Sequence, residues 1–378
     1  MNDSVYLDNS ATTKPCGEAL RFMNDALVNN WGNPSSLHTM GIDAEGIIEA
    51  CKETCAKMLG ARSDEIFFTS GGTEANNIAV FGAATARAKR GNRIVTTEIE
   101  HPSVFEAISE LQNKGFEVIR LKPDKFGHIS PSDIRSAINQ NTVLVSIMLV
   151  NNETGAVQPV EEAAKAIKEV NAPALLHCDA VQAFGKMPIK VTELGVDLLS
   201  FSGHKIHAPK GIGVLYKKKN VHITPLTHGG GQQSKLRPGT EPVPLIAALS
   251  GAISALPPIM DETQKMYALR NYTVKKLEAT GLVTFNSPTD AIPYIINISV
   301  EGYKSETLLH FLDSKGIFVS SGSACSKGEL SRTLTAQGLN KSQTDSALRI
   351  SFSRYNTEQD ADKLCAAICE AAKKLKRI

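Results

Sequence analysis

Val196-Asp197-Leu198-Leu199-Ser200-Phe201-Ser202-Gly203-His204-Lys205 runs from an apolar segment into a lysine. Ile206-His207-Ala208-Pro209-Lys210-Gly211-Ile212 then leads to a second apolar segment, Gly213-Val214-Leu215-Tyr216. Short apolar runs bounded by glycine and proline read as buried strands. Lys205 therefore stands at the exit of a strand, where α/β sheets place their chemistry. A solvated turn lysine is the simplest reading of the residue alone. Its setting between a hydroxyl, a histidine and a glycine-rich exit favours a lysine that carries a covalently bound cofactor.

Outward from this stretch the chain alternates. Glu65–Thr69, Arg93–Thr97, Phe116–Leu121, Thr142–Val150 and Ala174–Cys178 read as further strands. Helical patterns over Thr73–Ala88, Pro102–Lys114 and Pro159–Val170 separate most of them. With Val196–Phe201 and Gly213–Tyr216 this predicts a mainly parallel seven-stranded sheet of α/β class. Helical stretches Gly17–Val28 and Asp43–Leu59 precede it, the second carrying Ala44, Ile48, Cys51, Cys55 and Leu59 on one stripe. Both cysteines there read as small core thiols.

The alternation ends near Gly251. A helical region from Leu245 to about Ala279, interrupted by Pro257-Pro258, leads to strands Val283–Phe285, Tyr294–Val300, Ile317–Ser320 and Leu348–Phe352 mixed with two helices. The expected organisation is a large domain over 15–251 and a smaller α+β domain built from 1–14 and 252–378.

Composition sets bounds. The 378 residues are 42% hydrophobic and 21% charged, with a formal net charge of +2, which suits a globular chain. Nothing marks a nucleic-acid partner, and Lys217-Lys218-Lys219 reads as a solvated turn. Apolar runs such as Val143–Val150 are too short to span a bilayer, and Met1–Tyr6 lacks the features of a signal peptide. Seven cysteines without a C-x-x-C pair point to a reducing, cytoplasmic setting.

Four clusters fall at strand ends. Thr69-Ser70-Gly71-Gly72-Thr73-Glu74-Ala75-Asn76-Asn77 leaves a strand and opens a helix, the physics of a phosphate site; helix capping by Ser70 or Thr73 is the plain alternative. Glu98-Ile99-Glu100-His101-Pro102-Ser103 sets a histidine between a strand and a helix, where a lone histidine is more often structural. His177-Cys178-Asp179-Ala180-Val181-Gln182 ends a buried strand on a carboxylate that needs a partner, such as a protonated ring nitrogen. Neighbours on a strand point to opposite faces, which argues against a metal held by His177, Cys178 and Asp179. Val319-Ser320-Ser321-Gly322-Ser323-Ala324-Cys325-Ser326-Lys327-Gly328 surrounds one cysteine with small residues, and Lys327 would favour its thiolate. A glycine-serine turn with an incidental cysteine is the alternative. A Schiff-base lysine, an aspartate for a pyridine nitrogen, a phosphate cup and a thiol together describe pyridoxal phosphate.

With these motifs in order, the sequence resembles the group I cysteine desulfurases of the class V aminotransferase superfamily, fold-type-I pyridoxal-phosphate enzymes. The likeness runs through Tyr6–Thr13, Gly32–His38, Thr69–Glu74, Glu100–Ser103, Val150–Gly155, Asp179–Gln182, Ser202–Lys205, Arg237–Thr240 and Ser321–Cys325. It implies that Lys205 holds the cofactor covalently, Asp179 pairs with its ring nitrogen and Gln182 bonds its ring hydroxyl. His101 would stack on the ring and assist proton transfer. Gly72, Thr73, Ser202 and His204 would hold the phosphate, with Thr240 reaching in from the other subunit of a homodimer. Asn152 and Arg354 would orient L-cysteine, and Cys325 would take its sulfur as a persulfide while alanine leaves. The sulfur would pass to an acceptor such as an iron–sulfur scaffold or a transfer-RNA-thiolation enzyme.

Two departures stand out. Gly328-Glu329-Leu330-Ser331-Arg332-Thr333-Leu334 replaces a continuation containing Leu-Glu-Pro-Ser-His-Val-Leu that many relatives carry, and Ser353 precedes Arg354 where glycine is common. Rival readings are a selenocysteine lyase, an aminotransferase-like relative, and a catalytically silent sulfur carrier or scaffold.

Overall fold

The computed structural model describes residues 4–321 and 330–377. Its strands are β1 (Val5–Tyr6), β2 (Ile66–Thr69), β3 (Arg93–Thr97), β4 (Glu117–Leu121), β5 (Thr142–Ser146) and β6 (Leu175–Asp179). They continue with β7 (Leu198–Ser202), β8 (Gly213–Lys217), β9 (Thr284–Phe285), β10 (Ile295–Ser299), β11 (Ile317–Phe318) and β12 (Ala347–Ser351).

The predicted seven-stranded sheet forms in the order β2-β8-β7-β6-β5-β3-β4. β4, β3, β5, β6 and β7 pair in parallel, while β8 runs antiparallel to both its neighbours, β7 and β2. β2 and the parallel strands therefore end at one carboxyl edge. The period-2 alternation of side chains divides the interior into two apolar clusters. Ile94, Leu144, Leu175 and Leu198 join one, with helices Gly72–Arg87 and Pro102–Asn113. Val95, Val145, Leu176 and Leu199 join the other, with helices Thr39–Leu59, Val160–Glu169 and Val243–Ser254. Strands covered on both faces read as continuous apolar runs, which is why they were legible.

Β-structure beyond the main sheet is local. β10 pairs antiparallel with β12 and β9, and β1 pairs in parallel with β11. The two prolines at 257–258 separate helices Val243–Ser254 and Ile259–Thr280, which bend by 74°. Among the described residues no single helix is long and apolar enough to cross a membrane. The expected strand Thr142–Val150 is regular only to Ser146. Beyond it the N–H groups of Ile147 and Leu149 still bond to the carbonyls of His177 and Asp179, at 3.1 and 2.9 Å.

The polar segment 8–16 straps the Lys205 turn in place. The N–H groups of Thr13 and Cys16 donate to the carbonyls of His204 and His207, both at 2.9 Å. Asp8 also bridges to Ser351 of β12, so one strand of chain ties the end of β7 to the C-terminal sheet.

Candidate active site

At the carboxyl edge β6 ends on Asp179, β7 ends on Ser202 and runs into Gly203–Lys205, and β2 turns through Ser70–Gly71 into the helix at Gly72. Close approach of these turns depends on glycine. A Cβ on Gly213 would lie 2.5 Å from the Gly71 backbone carbon, and one on Gly72 would lie 2.8 Å from Val181 Cγ2. Together the turns wall a cavity of about 700 Å³.

Gly72, Thr73, His101, Asn152 and Asp179 line that cavity, as do Gln182, Ser202, His204 and Lys205. Thr240 does not; it is exposed and borders a separate pocket of about 230 Å³ with Arg237. Arg354 is also outside, in a recess that shares Lys205 with the cavity. There its guanidinium donates to the Ala255 carbonyl and, at 3.2 Å, to the Tyr355 hydroxyl. Cys325 lies outside the described residues. Residues on both sides of its segment, Ser320 and Ser321 before it and Leu330, Ser331 and Arg332 after it, line the cavity.

Lys205 Nζ donates to the carbonyls of Ser10 and Ala11, the latter at 2.8 Å. Asp179 is 4% exposed and accepts from the Val181 N–H at 2.9 Å and from Asn76 Nδ2 at 2.7 Å. Gln182 is oriented by Lys186, whose Nζ donates to Oε1 at 3.0 Å, while Nε2 donates to the Ser10 carbonyl at 2.9 Å. Burial, with Lys205 close by, pushes the Lys186 ammonium down to about 7. His204 is likewise held down to about 4, by burial first and then by Lys205. Burial also lowers His101, with Asp179 pulling the other way and Lys205, Arg332 and Arg349 adding to the depression.

His177, beside the site in sequence, belongs to the core. It lies between Ser146 Oγ at 2.8 Å and Ser200 Oγ at 3.1 Å, and burial alone takes it down to about 3.

Sequence reasoning left several wall residues without a role. Asn76 follows Thr73 by one helical turn, a spacing that could have flagged it. Arg349 donates to Asp8 Oδ1 at 2.9 Å and to the Asn152 carbonyl at 3.1 Å. Arg332 stacks 3.6 Å over the Phe105 ring and donates to the carbonyls of Glu98 and Glu100. Glu100 is fully buried; its Oε1 accepts from the Thr97 hydroxyl and the Met148 N–H, and its Oε2 has no partner among the described residues. Burial pushes this carboxyl up to about 8.

The donor set fits pyridoxal phosphate. The first-turn amides of helix Gly72–Arg87 lack intrahelical acceptors and open at the cavity beside the Thr73 and Ser202 hydroxyls, which suits a phosphate. Asp179 supplies a buried carboxylate for a ring nitrogen, Lys205 a primary amine for an aldehyde, and Ser10 Oγ, buried and without a partner among the described residues, a further polar contact.

The class V aminotransferase family profile matches residues 5–364. This chain belongs to the class V aminotransferase family. Like other members, this class V aminotransferase uses pyridoxal phosphate. It is 40% identical over 381 residues to "Cysteine desulfurase IscS" of Methanosarcina thermophila, covering 100% of this chain and 94% of that protein. Its fold superposes on a solved "NIFS-LIKE PROTEIN" with a TM-score of 0.93 at 37% identity, covering 98% of this chain and 100% of the other. A second solved structure, "SspA in complex with cysteine", gives a TM-score of 0.83 at 34% identity over 94% of this chain and 100% of that one. The class V fold thus accounts for the large mixed sheet and for the position of the cavity at its carboxyl edge.

Proposed function

We infer that the Lys205 cavity is the reaction centre of a cysteine desulfurase. The chain is a pyridoxal-phosphate-dependent cysteine desulfurase that takes L-cysteine to L-alanine and passes on the sulfur. One observation carries the assignment of the site. Lys205 and Asp179, at the ends of adjacent strands, open into one cavity, and both flanks of the Cys325 segment border it. Cys325 is four residues from Ser321, a span of at most about 14 Å of extended chain.

Bound pyridoxal phosphate supplies an electron sink for the substrate carbon. The residues divide the remaining work. The helix start at Gly72 and Thr73, with Ser202 and His204, holds the phosphate. Asp179, fixed by two donated hydrogen bonds, holds the ring nitrogen in its protonated form. Lys205 would anchor the cofactor, and its amine would hold and move the proton at the substrate carbon. Gln182 offers its amide N–H to the ring hydroxyl, and His101 covers the ring. Asn152 and Arg354 orient the amino acid, Arg354 by turning from Ala255 to grip the carboxylate. The Cys325 thiolate forms an S–S bond with the substrate sulfur as the Cβ–S bond breaks. That bond's electron pair stays with the carbon skeleton, which takes up a proton and leaves as L-alanine.

The two-part division of the chain, 15–251 against 1–14 with 252–378, belongs to this reading. The first part carries the main sheet and the second carries β9, β10, β11 and β12. A homodimer also belongs to it. Trp31 is 69% and Leu37 97% exposed, and Leu27, Val28 and Ile42, close in sequence, are exposed too; a run of exposed apolar side chains within 27–42 suits contact with a second copy. Thr240 stands away from the cavity of its own chain, in keeping with a role in its partner's. The sulfur acceptor is a protein of iron–sulfur assembly or transfer-RNA thiolation, and a reducing cytoplasm suits a reaction that depends on a free thiolate.

The test is alanine release from L-cysteine by wild type and Cys325→Ala, with bound cofactor measured in both. Wild type releases alanine; Cys325→Ala keeps its cofactor and releases at most about a hundredth as much. Undiminished release by the variant would remove Cys325 from the nucleophile's role.

A further inference from the structure

We propose that Asn76 and Ser103 are positioning residues that lock the His101 ring in the tautomer protonated at Nε2. Asp179 Oδ2 is a carboxylate oxygen and only accepts, so the group facing it at 2.7 Å is the Asn76 Nδ2 amide and not its oxygen. The same Nδ2 lies 2.9 Å from Ser103 Oγ. An amide nitrogen has no lone pair to offer, so Ser103 Oγ accepts there. Its own proton is then directed to His101 Nδ1, 2.8 Å away. The backbone N–H of Ser103 donates to the same nitrogen at 3.2 Å. Two donors converge on Nδ1, which must be bare. Nε2 carries the proton.

The chain Asp179–Asn76–Ser103–His101 thus begins on a buried carboxylate and ends on an imidazole that can only donate from its far nitrogen. Protonating the ring requires a hydrogen on Nδ1 and breaks both bonds from Ser103. Burial and the charges of Lys205, Arg332 and Arg349 oppose an imidazolium, while Asp179 favours one. His204, held down to about 4, is uncharged near neutrality. Glu100, Glu106 and Glu153 also line the cavity, and burial keeps Glu100 neutral up to about pH 8. The consequence for catalysis rests on the desulfurase reading: His101 meets an incoming amino acid as a hydrogen-bond donor, not as a ready base.

The test is the ¹⁵N spectrum of histidine-labelled full-length protein, with and without pyridoxal phosphate, titrated between about pH 5 and 9. The chain has nine histidines, so the His101 signals are identified by their loss in His101→Gln. Wild type should display a bare Nδ1 and a protonated Nε2 across the neutral range. Ser103→Ala should mix the tautomers and raise the His101 pKa by about one unit, the worth of one hydrogen bond to the neutral ring. Ser103→Thr should restore the wild-type pattern. A proton on Nδ1 in wild type, or a Ser103→Ala spectrum unchanged from wild type, would overturn the proposal. Failure of wild type to take up the cofactor would sink the desulfurase reading and leave the tautomer result standing.

Discussion

Lys186 Nζ donates to Gln182 Oε1 at 3.0 Å, so a buried ammonium fixes which way a cavity amide faces. Below about pH 7, where Lys186 is an ammonium with no lone pair, the amide oxygen must turn to it. Gln182 Nε2 is left pointing to the Ser10 carbonyl, with one N–H remaining for a cofactor hydroxyl. Lys186→Met removes this restraint while keeping the stem that packs there. Its expected effect is a roughly three- to tenfold weaker affinity for pyridoxal phosphate, consistent with one charge-assisted hydrogen bond. Equilibrium titration of the apoprotein with cofactor measures it, and unchanged affinity would show that the amide holds its orientation without Lys186.

Lys205→Ala should abolish the absorbance of covalently held cofactor. The cavity wall at Gly72, Thr73 and Ser202, proposed to hold the phosphate, remains in that variant, so free pyridoxal phosphate should still bind, only more weakly. Reduction with borohydride followed by peptide mapping tests the attachment directly. A label on any residue other than Lys205 contradicts the assignment.

Glu100 gives stability a pH dependence of defined sign. Burial lifts its carboxyl from the ordinary range to about 8 in the folded protein. Between about pH 4.5 and 8 the folded chain thus retains a proton that the unfolded chain has released. This group's contribution is complete below that window and is lost as pH rises through it, with a slope of at most about 1.4 kcal/mol per pH unit. Glu100→Gln keeps an acceptor for Thr97 and Met148 and cannot ionise. The difference between wild-type and variant denaturant midpoints should shift progressively in the variant's favour from pH 5 to about 8, and a constant difference would place the proton elsewhere.

Trp31→Glu puts a charge among the exposed apolar residues of 27–42. Sedimentation at micromolar concentration should find wild type dimeric and the variant shifted toward monomer. If the partner's Thr240 completes the phosphate site, the monomeric fraction also loses cofactor affinity. A wild-type monomer that binds cofactor fully would contradict that arrangement.

Much of the fold could be read from the chain because its period is local. The strands that became β2 to β8 are short apolar runs between turn residues, and Pro257-Pro258 marks the break between two helices. The short helix Pro131–Ala137 was missed, since seven residues carry too little periodicity to stand out. Lys205, Asp179, His101 and the Gly72–Thr73 turn were legible because strand ends and glycine-rich helix starts mark themselves in sequence. Asn76 and Arg349 were not, because each acts through a partner remote in sequence, Asp179 for Asn76 and Asp8 for Arg349; Ser103 and Lys186 pair with near neighbours, His101 and Gln182, in turns that carry no sequence signal of their own.

By itself, the sequence determined the type of sheet and the lysine, aspartate and histidine at its edge. Those are matters of residue identity and short-range pattern. Only the tertiary structure decided how polar groups pair. It turned the Gln182 amide, set Arg354 against Ala255 and away from the main cavity, and brought Asn76 between Asp179 and Ser103. The physical reason is that a buried donor or acceptor must find its partner in space.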